Sequence, residues 1–168
     1  MAGETHAFIF TDLVGFTAYT DEHGDEAAAD LADAFCARVC ELNSGHGAED
    51  VKTLGDGCMI HVPDTGCAVE LGLEIVESIG PAHGLPAVRV GMDAGPAVNR
   101  RGDWFGMTVN RAARLADIAD EASVLLTRAV KELQSNHADA IFLESGFREL
   151  RGIAEPAELF RATRPEHR

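Results

Sequence analysis

The chain has 168 residues, 46% of them hydrophobic, and its 14 basic and 28 acidic side chains give a formal net charge of −14. This length and hydrophobic content suit one globular domain and exclude a disordered chain. The acidic charge argues against a nucleic-acid polymer or an anionic membrane as the main partner, because both attract clustered lysine and arginine. It does not exclude a nucleotide, since two or three basic groups and a metal can hold a small anion.

The N-terminal stretch MAGETHAFIFTDL lacks the basic start and long apolar run of a secretory signal. No apolar stretch approaches the ~20 residues that span a bilayer. The four cysteines contain no C-x-x-C pair, and Cys36 and Cys40 lie one helical turn apart in an apolar stripe. We therefore expect reduced core cysteines in a cytoplasmic protein without a membrane segment.

The first half of the chain predicts a strand, a long helix and a strand pair, in that order. HAFIFT is a short apolar strand candidate. Apolar residues recur at helical spacing at positions 31, 35, 39 and 42, and NSGHG ends this pattern. EDVKTLG and GCMIHV then predict two strands around a glycine-rich turn.

The second half predicts a helix over DTGCAVELGLEIVESIG and two strands in PAVRVGMDAGPAVNR, broken at Ala94–Gly95. TVNRAARLADIA predicts a helix, SVLLT a strand and RAVKELQS a short helix, and AIFLESGFRELR and AELFRAT supply the last strands. This order predicts one domain over residues 1–168. The expected fold is α+β, with helices on one face of a mostly antiparallel sheet.

Two aspartates stand beside glycines at predicted strand ends. Asp12 follows the apolar run AFIF, and Asp56 lies in LGDGCM, where the backbone can approach a ligand closely. Two carboxylates brought together at a sheet edge would suit Mg²⁺ or Mn²⁺, which take oxygen ligands and leave positions for phosphates. Turn formation is the alternative, since aspartate favours such turns without any ligand. Spacing alone leaves both interpretations open.

The stretch GDWFGMTVNRAARL places Asn110 and Arg114 four residues apart on one face of a predicted helix. The guanidinium of Arg114 can fork onto phosphoryl oxygens, and the amide of Asn110 can orient a sugar oxygen. A solvated arginine beside an asparagine is the alternative interpretation. Trp104 and Phe105, in the same stretch, suit either a partner interface or the core.

Five stretches together resemble a known family. FIFTDLVGFT, KTLGDG, RVGMDAGPAV, GDWFGMTVNRAARL and ELRGIAEPAELFRA look, in this order, like the catalytic domain of class III nucleotidyl cyclases of the mycobacterial adenylate cyclase kind. The resemblance covers about residues 6–162. It implies a ferredoxin-like α+β core.

The resemblance also implies a metal site. Asp12 and Asp56 match the two metal aspartates, and the backbone carbonyl of Leu13 is expected to join them. Two divalent ions per site, Mg²⁺ or Mn²⁺, are the implied cofactors. A further arginine seen near the triphosphate in some cyclases has no obvious counterpart in DEASVLLT.

The resemblance also implies which residues bind the substrate. Lys52 and Asp103 match the pair that reads the purine edge, Asn110 the residue that orients the ribose, and Arg114 the transition-state arginine. Arg151 stands where the family usually has a lysine that touches the triphosphate. In the family the groups that Lys52, Asp103, Asn110 and Arg114 match come from one chain of a head-to-tail homodimer, and the metal aspartates come from the other.

The resemblance therefore implies an adenylate cyclase that converts ATP to 3′,5′-cyclic AMP and pyrophosphate. Lys52 can only donate and ionised Asp103 can only accept a hydrogen bond, which matches adenine and disfavours a GTP cyclase. A dinucleotide cyclase is disfavoured because the chain lacks a G-G-D-E-F turn. A non-catalytic nucleotide-binding or scaffolding module remains an alternative, although the six matched positions are intact.

Overall fold

The computed structural model describes residues 3–134 and 139–166. Within them the chain forms nine strands, which are β1 (His6–Leu13), β2 (Glu49–Thr53), β3 (Gly57–Val62), β4 (Val88–Gly95), β5 (Val98–Arg100), β6 (Asp103–Phe105), β7 (Ser123–Thr127), β8 (Ile141–Arg148) and β9 (Ala157–Thr163). The same residues form five α-helices, which are α1 (Phe16–His23), α2 (Asp25–Ser44), α3 (Ala68–Ser78), α4 (Met107–Ile118) and α5 (Arg128–Leu133). In the described part of the chain, no helix is long and apolar enough to cross a bilayer.

Seven strands form one sheet in the order β2-β3-β1-β4-β7-β9-β8, and β5 and β6 form a separate hairpin. Every neighbouring pair is antiparallel except β4 and β7, which run parallel. The predicted α+β class and mostly antiparallel sheet are confirmed. Because β1 lies between β3 and β4, Asp12 stands opposite Gly57 on one side and Arg89 on the other.

The predicted helices and strands are present, with small shifts at their ends. The helix predicted over RAVKELQS ends as α5 at Leu133, and its last residue, Ser135, lies outside the described residues. Helix α1 and strand β6 were not predicted. Helix α1 contains no buried residue, and β6 is three residues long, so neither leaves a clear apolar period in the sequence.

Strand β1 is apolar on both faces, which determines where the helices pack. Ala7, Ile9 and Leu13 face a buried cluster that includes residues of α2 and α3. Phe8 and Phe10 point to the opposite face and pack against α4 through its residues Val109, Ala112 and Ala116. We predicted that the helices pack on one face of the sheet. Helix α4 instead covers the opposite face, because Phe8 and Phe10 need burial there.

Helix α4 lies very close to β4 at Gly91. A Cβ built on Gly91 would stand 2.2 Å from the backbone nitrogen of Ala116 and 2.8 Å from the carbonyl oxygen of Ala112. Only a residue without a side chain permits this approach, because backbone atoms cannot move aside independently. The contact fixes the distance between the sheet and the helix that carries Asn110 and Arg114.

The four cysteines are free thiols. Cys58 is buried, as predicted for a core cysteine, and burial raises the pKa of its thiol. Cys36 and Cys67 are half-buried, and the Sγ of Cys36 lies 3.7 Å from that of Cys58. The prediction of a core position is wrong for Cys40, which is exposed because it lies on the outer side of α2.

Replacing Gly91 by alanine is expected to lower the free energy of unfolding by at least about 2 kcal/mol, because α4 must move away from the added methyl group. Thermal denaturation should then show a Tm lower by about 4–8 °C. Gly80→Ala is the matched control, since a Cβ there would meet nothing within 4 Å and its φ of 165° is extended backbone. Equal Tm values for the two variants would contradict the close contact between α4 and β4.

Candidate active site

Asp12 and Asp56 meet where β1 ends beside the turn between β2 and β3. The backbone nitrogen of Leu13 donates to the carbonyl oxygen of Asp56 at 2.9 Å, which joins the two segments. A Cβ on Gly57 would lie 2.1 Å from the carbonyl oxygen of Thr11, so glycine allows the turn to approach β1 this closely. The side chain of Leu13 is buried, and only its backbone can serve the site.

The carboxyl of Asp12 has a strongly perturbed pKa. Burial and the adjacent carboxyl of Asp56 raise the pKa of Asp12 from its ordinary value of 3.8 to about 6, and Arg89 partly offsets the rise. Two like charges held together in this way disfavour ionisation of one of them. A divalent cation would remove the conflict, because it stabilises both carboxylates in their charged form.

A cavity of about 280 Å³ opens over this pair of carboxylates. Its lining includes Asp12, Asp56, Arg114 and Asp117, so α4 forms one wall. Among residues 3–134 and 139–166, no three acidic, histidine or cysteine side chains are grouped to hold a metal by themselves. Two carboxylates still fit Mg²⁺ or Mn²⁺, because these ions commonly bind through one or two carboxylates and complete their shell with phosphates and water.

Lys52 and Asp103 form an ion pair between β2 and β6, with Nζ 2.9 Å from Oδ2. The other carboxylate oxygen of Asp103 accepts a hydrogen bond from the backbone nitrogen of Trp104 at 2.8 Å. The hydrogen bond from Lys52, and then that from Trp104, lower the pKa of Asp103 and keep it an acceptor. Both side chains remain partly exposed, which leaves a donor and an acceptor side by side within reach of a ligand.

The two aromatic residues beside Asp103 have different environments. Trp104 packs with Phe8 in the cluster under α4, and its ring stacks on His61 with centroids 4.4 Å apart. Phe105 is 52% exposed. Trp104 therefore belongs to the core, whereas Phe105 is available to a partner.

Arg114 extends from α4 toward Arg151. Its Nε donates to the backbone carbonyl of Arg151 at 3.0 Å, and one of its terminal nitrogens lies 3.5 Å from Asp117. Arg114 and Arg151 also line a second cavity of about 370 Å³ with Leu150. The structure thus brings these two arginines together, whereas Asn110 is exposed on α4 and lines neither of the two cavities described here.

Arg89 is a site residue that the sequence did not reveal. It lies directly across from Asp12 in the register of β1 and β4, and its Nη1 is 3.6 Å from Oδ2 of Asp12. An arginine at the start of the apolar strand VRVGMDAG was the available signal. This arginine can be recognised as a neighbour of Asp12 only once β1 and β4 are known to pair. That pairing joins residues far apart in the sequence.

The sequence of this chain is similar to those of known proteins. The family described as "Adenylate and Guanylate cyclase catalytic domain" matches residues 3–160. An adenylate cyclase of Streptomyces griseus is 37% identical over 78% of this chain and 33% of its own length. A pH-sensitive adenylate cyclase of Mycobacterium tuberculosis is 34% identical over 92% of this chain and 40% of its own length. This chain therefore spans about a third to two-fifths of the curated relatives it matches.

Solved structures share the fold. The adenylyl cyclase CyaB of P. aeruginosa has a TM-score of 0.81 at 19% identity, covering 96% of this chain and 95% of its own. The catalytic core of a rhodopsin-guanylyl cyclase with converted specificity, in complex with ATPαS, has a TM-score of 0.84 at 19% identity, covering 98% and 97% of the two chains. With a family match over nearly its whole length, this chain belongs to the adenylate and guanylate cyclase catalytic domain family.

Proposed function

We propose that two copies of this chain form an adenylate cyclase that converts ATP to 3′,5′-cyclic AMP and pyrophosphate. The observation that carries the proposal is the ion pair of Lys52 and Asp103, which presents a donor and an acceptor together while both side chains stay partly exposed. Relatives named adenylate cyclase, at 34% to 40% identity, support the same reaction.

Asp12 and Asp56 are the proposed metal ligands, with the backbone carbonyl of Leu13. Burial and the adjacent Asp56 together raise the pKa of Asp12, and this supports a site built for cations. Two Mg²⁺ or Mn²⁺ ions, when bound, would lower the pKa of the ribose 3′-hydroxyl and neutralise the β- and γ-phosphates. Asp12, near the end of the central strand β1, and Asp56, in the turn before β3, are the residues that would hold these ions.

Lys52 and Asp103 are proposed to select the base. Adenine offers an acceptor at N1 and a donor at N6, which match an ammonium group and an ionised carboxylate. Guanine reverses both groups and would leave the protein donor and acceptor unpaired, which costs affinity. The lowered pKa of Asp103 supports its role as an acceptor at neutral pH.

Asn110 and Arg114 are proposed to act on the ribose and the phosphates. Asn110 would orient the sugar so that its 3′-oxygen lies in line with the α-phosphorus. Arg114 would donate to the α-phosphoryl oxygens as negative charge grows on them in the transition state. Arg151, which lines a cavity with Arg114, and Arg89, beside Asp12, add positive charge for the triphosphate.

The shared site requires a second copy of the chain. Val98, Phe105 and Met107 are 49%, 52% and 49% exposed, and they lie on the β5–β6 hairpin, which also carries Asp103, and at the start of α4. An apolar surface of this kind favours burial against a partner. In the proposed head-to-tail homodimer each of two equivalent sites takes its carboxylates from one copy and Lys52, Asp103, Asn110 and Arg114 from the other.

Arg114 makes this arrangement testable. Within one chain it lines the same cavity as Asp12 and Asp56, so a site contained in a single copy is the competing arrangement. Asp12→Ala and Arg114→Ala should each lower kcat by about 10²–10³-fold. A mixture of the two variants at equal amounts should recover about a quarter of wild-type activity, since half of the dimers are mixed and each has one intact site. No recovery, with both variants folded and able to exchange subunits, would contradict the shared site.

Lys52→Glu should reverse the hydrogen-bonding character of the base site. We expect the ratio of kcat/KM for ATP to that for GTP to fall at least about tenfold. The control is Lys131→Glu, an identical change at a lysine of α5 whose Nζ lies over the ring of Phe160 on β9. If both variants keep the wild-type ratio, Lys52 does not read the base.

Asp12→Asn should stabilise the metal-free protein at pH 7 by about 1–2 kcal/mol, since it removes a carboxylate whose charge is disfavoured by burial and by Asp56. The pKa of Asp12 is raised in the folded state, so the folded chain holds the extra proton, and the stability of the wild-type protein relative to Asp12→Asn should fall as pH rises from about 4 to about 6. Asp30→Asn, a change on the exposed side of α2, should show the same fall relative to Asp12→Asn.

Mn²⁺ provides the second half of that experiment. Titration with Mn²⁺ should raise the Tm of the wild-type protein and of Asp30→Asn, because a ligand that binds only the folded state stabilises it. Asp12→Asn should show little rise. An equal rise in all three proteins would place the metal elsewhere.

The competing function is a non-catalytic nucleotide-binding module on the same fold. It predicts binding of ATP without turnover. The intact set of Asp12, Asp56, Lys52, Asn110 and Arg114 argues against it, because a module that only binds has no use for a transition-state arginine.

A further inference from the structure

A buried carboxylate lies beneath α4, outside the set of residues assigned above. Asp93 on β4 is 1% exposed. Its Oδ1 accepts hydrogen bonds from the backbone nitrogen of Ala94 at 2.8 Å and from Oγ1 of Thr127 at 2.6 Å. Its Oδ2 accepts one from Nη1 of Arg111 at 2.8 Å. Every oxygen of this buried group is therefore paired, and Arg111 supplies the opposite charge.

The pair stands between two close contacts of helix and strand. Gly91, Asp93 and Gly95 alternate along β4, so all three face α4. A Cβ on Gly91 would strike the backbone of α4 at Ala116, and one on Gly95 would lie 2.7 Å from Oγ1 of Thr108. These contacts set how near the helix lies to the sheet. The ion pair of Asp93 and Arg111 between them adds a directional contact that resists rotation of the helix about its own axis.

Arg111 occupies the position on α4 that controls this rotation. It directly follows Asn110 and precedes Arg114 by three residues. At about 100° per residue, Asn110 and Arg114 point within about 40° of each other and both lie to the same side of Arg111. A helix held by Arg111 therefore presents Asn110 and Arg114 in one defined direction.

A second arginine near Asp93 does not compete for it. Arg128 lines the same cavity, of about 300 Å³, as Asp93 and Arg111. Its Nε and Nη2 instead donate to the two carboxylate oxygens of Glu158, at 2.6 and 2.5 Å. Arg111 is thus the cation that neutralises Asp93, and Arg128 offers a matched control of the same chemical type at the same cavity.

We propose that the Asp93–Arg111 ion pair is a positioning device that fixes the rotation of α4 and so aims Asn110 and Arg114 at the substrate. Neither residue touches the substrate. The inference rests on the proposed function, because it assigns a purpose to the direction of those two side chains. Displacement of a catalytic group by about 1 Å can cost on the order of 10² in rate, so a small rotation of α4 is enough to matter.

Arg111→Met removes the charge and keeps most of the side-chain volume. We expect kcat with ATP to fall at least about tenfold while KM stays within about twofold, since the lost interactions belong to the transition state. Arg111→Lys, which keeps the charge without the planar donor group, should fall between Arg111→Met and wild type. Arg128→Met should retain wild-type kcat. Equal kcat for the Met variants at positions 111 and 128 would overturn the proposal.

Combining changes tests whether the two residues act as one unit. Asp93→Asn alone should lower kcat in the same direction as Arg111→Met. The double variant should lose no more than the worse single variant, because both remove the same interaction. Losses that multiply would show independent roles and would overturn the proposal. If Arg111→Met does not fold, Arg111→Lys and Asp93→Asn carry the same test.

A readout that does not require activity separates this proposal from the proposed function. Amide hydrogen exchange in α4 should be faster in Arg111→Met than in Arg128→Met, because the helix has lost its anchor. A wild-type protein that makes no cyclic AMP would end the proposed function, whatever the exchange shows. Identical exchange in α4 of the two variants would overturn the positioning role even in an active enzyme.

Discussion

The contact between α4 and the central strands β1 and β4 is the constraint on which the site depends. Phe8 and Phe10 give β1 an apolar second face, and α4 covers it. Gly91 lets the backbone of α4 come within van der Waals reach of β4. The helix that carries Asn110 and Arg114 is therefore held against β1 and β4 of its own copy, and this packing fixes where each copy presents the two side chains to the site that it shares with its partner.

The carboxylates of Asp12 and Asp93 differ in how their negative charge is balanced within the chain. Burial and the adjacent Asp56 raise the pKa of Asp12 to about 6, so its ionised form is unfavourable unless a cation is bound. Asp93, more deeply buried, has all its hydrogen bonds satisfied within the chain. One carboxylate is thus prepared for a ligand and another is used to hold the fold. This contrast supports assigning metal binding to the first and positioning to the second.

Much of the fold could be predicted from the sequence because its helices and strands have clear apolar periods. Helix α2 carries its buried residues Phe35 and Val39 at helical spacing, and β3 is a continuous apolar run between turn residues. Helix α1 shows no such period, because none of its residues is buried. The position of α4 on the second face follows from the pairing of β1 with β4, which joins residues about 80 positions apart and leaves no local pattern.

Some residues of the candidate site could be predicted from the sequence, and others could not. Spacing and glycine neighbours indicated Asp12 and Asp56, whereas Lys52 and Asp103 became site candidates only through the family resemblance. The structure joins them at 2.9 Å across two elements that are far apart in sequence. Arg89 escaped prediction because its partner Asp12 lies on a neighbouring strand, and Asp93 and Arg111 escaped it because they meet only where α4 packs on β4.

Cyclic AMP formation from ATP and Mn²⁺, measured per mole of chain over a wide range of protein concentration, tests the shared site most directly. A site completed by two copies predicts a specific activity that rises with concentration and levels off as dimers fill, with ATP strongly preferred to GTP. A specific activity that stays constant while sedimentation shows only monomers would contradict it, as would the absence of product at every concentration.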